Sequence, residues 1–262
     1  MEPGFIDIAR ILAFAGKTGL TVVALLLLRV LWREGGPRPL LLAWAVLLFE
    51  AVVVLPPNAY LEALALAARL QPEQAEGFMA LRDRSYPPLY LFLSCLGALV
   101  PATALAVLSR ARAARVAGVG LAAGALLLGI GLALGGAPAD WQFLVNVNRL
   151  LSGLRGVAYL AFWIALVLGR LHPVDPFLLV FMAVMTSFSL LLPLQETVFT
   201  FFELGAGQAY WAVNQSLQVV HHTILVLVCL ILAGRLRRGS PPDLLTVGEE
   251  RRTPWKVASL SV

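Results

Sequence analysis

The sequence predicts an all-α integral membrane protein, a bundle of seven transmembrane helices with its N-terminus outside the cell and its C-terminus in the cytoplasm. Three observations predict this fold: an apolar composition, apolar segments of about twenty residues, and arginines sorted into alternate loops. Hydrophobic residues make up 60% of the 262-residue chain and charged residues 13%, whereas soluble domains are about half apolar and about a quarter charged. Such a chain cannot cover a water-exposed surface with polar side chains, so its solvent is largely lipid.

The same composition excludes several classes of protein. It is not that of a soluble globular domain, a disordered chain or a disulfide scaffold. The net charge of +5 does not indicate a nucleic-acid partner, because the arginines lie between apolar runs, where membrane topology accounts for them. We therefore expect a multi-pass protein of the cell (inner) membrane.

Seven segments are long and apolar enough to be transmembrane helices. Pairs of prolines such as Pro56-Pro57 and Pro87-Pro88, together with glycine clusters, predict where these helices stop. The predicted spans are 8–31, 39–56, 87–109, 115–136, 142–169, 174–194 and 209–234.

The distribution of arginine predicts the orientation. The loops on one side of the membrane hold Arg69, Arg82 and Arg84, and acidic residues near them reduce the net positive charge of these loops. Because basic residues are enriched in cytoplasmic loops, the other, arginine-rich side is cytoplasmic and the N-terminus is outside. The basic residues of that side are Arg29, Arg33, Arg38, Arg110, Arg112, Arg115, Arg170, Arg235, Arg237 and Arg238.

The chain divides into a transmembrane domain, residues 1–238, and a short cytoplasmic tail, residues 239–262, which is too small to fold into an enzymatic domain. Within the outer loop, residues 57–86 predict two short helices. Such a hairpin would lie on the bilayer surface or act as a lid. Cys95 and Cys229 fall in different spans and are predicted to be apolar packing residues.

The fourth predicted span is rich in glycine. Small residues four apart let a neighbouring helix backbone approach closely. The pattern favours packing inside the bundle and leaves open a contact with a membrane-protein partner. The glycines concerned are Gly120, Gly124, Gly131 and Gly135.

The polar residues within the spans are the main functional signal. Ionisable groups inside a membrane are costly and mark functional sites by default, and here they lie in the outer half of the bundle while the inner half is almost purely apolar. Asn214, Gln218 and His221 fall on one helix face. The predicted ligand-binding residues are Lys17, Glu50, Tyr90, Asn146, Arg149, Arg155, Asn214, Gln218, His221 and His222.

These residues predict an outward-opening polar cavity. Cationic groups outnumber carboxylates, so the cavity should favour a small anionic or amphipathic ligand. A structural alternative stays open, in which Glu50 neutralises Lys17, the arginines reach the membrane surface, and the amides form interhelical hydrogen bonds.

The leading functional hypothesis is therefore a membrane protein that binds or transports such a ligand. One alternative is a non-catalytic subunit or assembly partner of a larger membrane complex, such as a haem or quinone redox complex; another is a seven-helix sensor that signals through a partner protein. An enzyme is the less favoured interpretation, and the sequence assigns no cofactor. Adjacent histidines without a His-x-x-x-His spacing are only a weak zinc signal.

Overall fold

The structure is a computed structural model that describes residues 4–34, 38–134, 141–172, 174, 176–202 and 208–238. All regular elements in these ranges are helical, which confirms an all-α protein, and six of the helices are long and apolar enough to cross a membrane. The helix count of seven and the orientation stay predictions. The elements are α1 (Phe5–Glu34), α2 (Arg38–Phe49), α3 (Leu55–Leu70), α4 (Ala75–Gly97), α5 (Leu99–Leu108), α6 (Arg112–Leu134), α7 (Trp141–Val167), α8 (Pro176–Phe201) and α9 (Gln208–Arg237).

The prediction that proline pairs stop helices is wrong at both places. A π-helical turn, Glu50–Val54, joins α2 directly to α3, and Pro56 and Pro57 lie in the first turn of α3. The first turn of a separate helix needs no N–H donor, but here the π turn runs into α3 without a break, so carbonyls of that turn lose the donors that the prolines lack. Pro87 and Pro88 lie inside α4.

A side chain from α1 compensates for the missing donors at the π turn. Pro56 has no N–H, so the carbonyl of Ala51, five residues earlier, lacks the donor that the π spacing would supply. The hydroxyl of Thr21 donates to this carbonyl at 2.7 Å. The contact ties α1 to the helix that the prolines would otherwise weaken.

Because neither proline pair stops a helix, residues 57–86 belong mostly to two long helices. They form the end of α3 and the beginning of α4, joined by a short turn at Pro72–Gln74. The apolar stretch of this region is Leu47–Leu70 rather than the predicted 39–56. The predicted lid role of this helical hairpin stays a prediction.

Helix α1 packs most extensively against α9. Its buried residues recur every three or four positions, the spacing of one helix face. A Cβ added to Gly16 would lie 3.1 Å from the Cβ of His222, so the two backbones approach closely there. The buried apolar residues of this face are Ala9, Ala13, Leu20, Ala24, Leu27 and Leu31.

The largest apolar core lies beyond the polar part of α1 and α9. It joins residues of α1, α2, α5, α7, α8 and α9, and includes the edge-to-face pair Trp44 and Phe181, whose ring centroids are 5.7 Å apart. The free thiols of Cys95 and Cys229 are both buried, as predicted. Many large apolar side chains elsewhere are exposed, which is expected of a lipid-facing surface.

The glycines of α6 differ in their surroundings. A Cβ added to Gly118 would lie within about 3 Å of α5, and one added to Gly129 would lie about 3 Å from α4. Gly120, Gly124 and Gly131 have open space around them. The expectation that the Gly120–Gly124 spacing packs inside the bundle is therefore wrong, because this face of α6 points away from α4 and α5. Gly135 lies outside the described residues.

Candidate functional site

The structure brings about half of the predicted ligand-binding residues together along α1 and α9. Lys17 and His222 are both buried, and Lys17 is close enough to His222 for its charge to act on the imidazole. His221 follows on the same helix. One turn earlier, the amide nitrogen of Gln218 donates to the Asn214 side chain at 2.7 Å.

The other predicted residues divide into two groups. Asn146 is exposed, and Arg155 lies on α7, where its guanidinium donates to the Ser152 hydroxyl at 3.3 Å. The same guanidinium occupies the space beside Gly97 of α4, 2.7 Å from where a Cβ would be. The side chains of Glu50, Tyr90 and Arg149 lie outside the described residues.

Lys17 has an acidic partner that was not among the predicted site residues. Its ammonium nitrogen lies 3.7 Å from a carboxylate oxygen of Glu62 on α3, and the two side chains are 6% and 20% exposed. The amide nitrogen of Gln215 on α9 donates to the same oxygen at 3.4 Å. The buried polar triad of Lys17, Glu62 and Gln215 therefore joins three helices.

The sequence interpretation missed Glu62 because it ended the helix at Pro56-Pro57. That interpretation places Glu62 in an outer loop, where a carboxylate does not by itself indicate a functional site. A signal was available: Asn58 and Glu62 are four residues apart, the spacing of one helix face, in a segment that is otherwise mostly apolar from Leu47 to Leu70. Proline at a first helical turn is common, so continuation of the helix was an equally physical interpretation.

A second group of charges lies at the end of the bundle where α1 begins. Arg69 of α3 pairs with Asp7 of α1. On α4, a guanidinium nitrogen of Arg82 lies 3.5 Å from a carboxylate oxygen of the next residue, Asp83. Arg10 of α1 is close enough to Asp7, Glu62, Arg69 and Arg82 to interact with each charge. We call Arg10, Arg69 and Arg82 the arginine cluster.

The arginine cluster is incompletely satisfied. The Nε atoms of Arg10 and Arg82 are buried and have no hydrogen-bond partner in the described part of the chain. A buried donor without a partner costs about 1–3 kcal/mol, and three neighbouring guanidinium groups also repel one another. An anion between them would relieve both costs, because guanidinium forks match carboxylate and phosphate oxygens.

The two neighbouring histidines of α9 lie deeper than the polar triad. His221 stacks on Phe188 of α8 with ring centroids 4.0 Å apart. Both imidazoles line a small cavity with Met185 and apolar side chains. The Nδ1 atom of each imidazole is buried, with no hydrogen-bond partner among the residues that the structure describes.

A larger cavity lies elsewhere. Its volume is about 270 Å³, and it opens between α2, the π turn and α5. Thr103 is its single hydroxyl-bearing residue; the other lining residues are Ala45, Phe49, Val54, Leu96, Leu99 and Val100. None of the charged residues described above lines it.

No protein-family model matches the chain, and no curated protein or solved structure is significantly similar to it.

Proposed function

We propose that this membrane protein binds a small anionic ligand, an acidic molecule or the headgroup of an anionic lipid, at the arginine cluster. One observation carries the proposal: Arg10 and Arg82 come from different helices, each has a buried Nε atom with no partner in the described chain, and they are close enough to interact. Guanidinium groups with unused donors match the oxygens of a carboxylate or phosphate, so a cluster of them at the end of the bundle favours an anionic ligand.

The buried polar triad would form the inner boundary of this site. Glu62 pairs with Lys17, and its charge also acts on Arg10. An anion that neutralises Arg10 leaves Glu62 to pair with Lys17 alone, so occupancy is coupled to the contact between α1, α3 and α9. The coupling gives the protein a means of sensing its ligand.

Binding at one side fits the structure better than a continuous pathway. Beyond the triad and the histidines, the described parts of α1 and α9 bury apolar residues such as Leu27, Leu31 and Leu232. An anion would have to leave its polar partners and enter this core, which costs several kcal/mol. Under the predicted orientation, the arginine cluster faces the outside of the cell.

The test is thermal unfolding of the purified full-length protein in mild detergent. Inorganic phosphate and phosphatidylglycerol are added separately, with phosphatidylcholine as the zwitterionic control. We expect one of the two anions to raise the unfolding temperature, and Arg10→Gln and Arg82→Gln to weaken that effect about tenfold or more in ligand concentration. Phosphate alone indicates an acidic small molecule, and phosphatidylglycerol alone indicates a lipid headgroup.

The matched control is Arg112→Gln, which removes the same charge from an exposed position at the start of α6. It should respond to the anion as the wild-type protein does. An equal response of Arg10→Gln and Arg112→Gln, or no response of the wild-type protein to either anion, would refute the proposal. Arg155→Ala tests whether the arginine of α7 belongs to the same site, as its position in the sequence predicts.

A second function, assembly with another membrane protein, is favoured by α6. Gly120, Gly124 and Gly131 leave open space on its outward face, and small residues at this spacing let a second helix pack closely. The partner would be a transmembrane helix. Gly124→Leu should abolish a complex seen by native mass spectrometry, whereas Gly77→Leu, which also has open space around it, should not.

A further inference from the structure

The small cavity beside the histidines of α9 has the size of a single ion. Its volume is about 20 Å³, which is room for about one water molecule or one ion. Three of its lining residues carry atoms that can bind a metal ion, His221, His222 and Met185; the remaining lining residues are Leu20, Leu47, Ala51, Leu55, Phe181 and Leu225.

Both imidazoles are more than nine-tenths buried and are not fully used by the protein. His221 is 8% exposed and His222 is 3% exposed, and neither Nδ1 atom has a hydrogen-bond partner in the described chain. The Gln218 backbone approaches His222, although not with the geometry of a hydrogen bond to Nδ1. Buried polar groups left without partners call for a bound water or ion.

The arrangement of the two rings fits a shared ion. Their centroids are 5.2 Å apart, and their planes are inclined by 78°. Two imidazoles that bind one ion at a nitrogen–metal distance of about 2.0–2.1 Å and a trigonal or tetrahedral angle have ring centres roughly 5 to 5.5 Å apart. Phe188, stacked on His221, holds that ring in place.

The donor set selects the ion. Thioether sulfur is a soft ligand that favours copper(I), and imidazole also binds copper well. The described residues that line the cavity include no Cys, Asp or Glu, so the site offers no anionic ligand to balance a divalent charge. Lys17, whose charge acts on His222, is paired with Glu62.

We propose that His221, His222 and Met185 form a binding site for a single copper(I) ion inside the bundle. One ring nitrogen of each histidine and the sulfur of Met185 would supply three neutral ligands. Met185 lies on α8 and both histidines lie on α9, so the ion would link these two helices, with Leu20 of α1 beside it. The proposal is independent of anion binding, because it uses none of the residues of the arginine cluster.

The test is an anaerobic titration of the purified full-length protein with copper(I) against the competing chelator bathocuproine disulfonate. It is performed on the Cys95→Ala/Cys229→Ala variant, because free thiols also bind copper(I). We expect one equivalent of copper to be withheld from the chelator. Met185→Leu and His222→Gln should each weaken this binding about tenfold or more.

The chain offers two matched controls. Met182 is buried three residues before Met185 but does not line the cavity, and His172 is exposed. Met182→Leu and His172→Gln should bind copper as the parent does. If the variant without cysteines does not fold, X-ray absorption of the copper-loaded wild-type protein decides the question, with two nitrogens and one sulfur expected around the metal.

Three results would overturn the proposal. They are no copper withheld from the chelator, as for a cavity that holds only water; unchanged affinity in Met185→Leu and His222→Gln; and a coordination shell of sulfur alone. Each of these outcomes leaves the response to phosphate or phosphatidylglycerol unaffected, so it is distinguishable from failure of anion binding.

Discussion

The two ends of the α1–α9 helix pair are built differently. From Leu20 and Leu225 onward, the fully buried side chains in the described parts of the two helices are apolar, and the half-buried Thr21 donates to the Ala51 carbonyl. Before those residues, they bury Lys17, Gln215 and two histidines. The same two helices therefore pack by close apolar contact at one end and by polar pairing at the other.

This difference indicates that the polar end of the helix pair carries an energetic cost that helix packing does not require. Apolar contact alone suffices to associate helices in lipid. Among the described residues, the apolar ends of α1 and α9 bury no side-chain polar atom without a partner, and in the core beside them the indole Nε1 of Trp44 is such an atom. At the polar end, Gln215 Oε1 and the Nδ1 atoms of both histidines are buried with no partner in the described chain. A chain that keeps such groups at one end has a use for them there.

The largest expected effect comes from breaking the buried polar triad on one side. Glu62→Leu leaves the Lys17 ammonium buried without its carboxylate, which should destabilise the protein by about 3–5 kcal/mol. Removing both charges with Lys17→Met and Glu62→Leu should restore most of that stability, because well-packed apolar residues often replace a buried pair at little cost. Denaturant unfolding in detergent measures the free energies.

The apolar end gives the contrast for this cycle. Leu27→Ala, in the apolar core, should lower the free energy of unfolding by about 2–5 kcal/mol. This variant leaves no charge unpaired, so a second substitution that removes a charge should not restore the lost stability. If the double variant Lys17→Met/Glu62→Leu is as unstable as Glu62→Leu, the triad is not a pair of mutually compensating charges and the contrast between the two ends fails.

A smaller effect is expected where the polar and apolar ends meet. Gly16→Leu places a side chain where His222 Cβ already lies about 3 Å away, and overpacking of this kind costs about 1–3 kcal/mol. Gly19→Leu is the matched control, because nothing lies within 4 Å of a Cβ at that position. Equal unfolding temperatures of the two variants would show that α1 and α9 do not approach closely at Gly16.

The smallest effect is expected at the π turn. Thr21→Val keeps the shape of the side chain but removes the hydroxyl that donates to the Ala51 carbonyl. The loss should be about 0.5–1.5 kcal/mol. Ser187→Ala is the control, since its hydroxyl bonds within its own helix, to the Ala183 carbonyl; a loss as large as that of Thr21→Val would argue against a special role for the interhelical bond.

The sequence predicted the general architecture because composition and segment length depend on lipid as the solvent. An apolar segment of about twenty residues has few alternatives to a membrane-crossing helix, and the described part of the chain contains six helices long and apolar enough for this. Helix spacing alone predicts that Asn214, Gln218 and His221 share a face; that His222 is also buried, close to Lys17, depends on how α1 packs on α9.

The sequence could not predict which carboxylate meets Lys17. That depends on whether the helix continues past Pro56 and Pro57, and the local rules allow both a stop and a first turn at proline. Continuation is favoured by a contact distant in sequence, from Thr21 to Ala51. The arginine cluster was missed for the same reason, because Arg69 and Arg82 were assigned to a loop and used only to predict orientation.

The central claim is that the polar end of the bundle holds an anion. Native mass spectrometry of the full-length protein, released from mild detergent, tests it most directly by weighing what the protein retains. We expect the wild-type protein to carry an anionic molecule that Arg10→Gln/Arg82→Gln loses and Arg112→Gln keeps. A wild-type protein without such a molecule, or the same bound mass in the Arg10→Gln/Arg82→Gln variant, would contradict the claim.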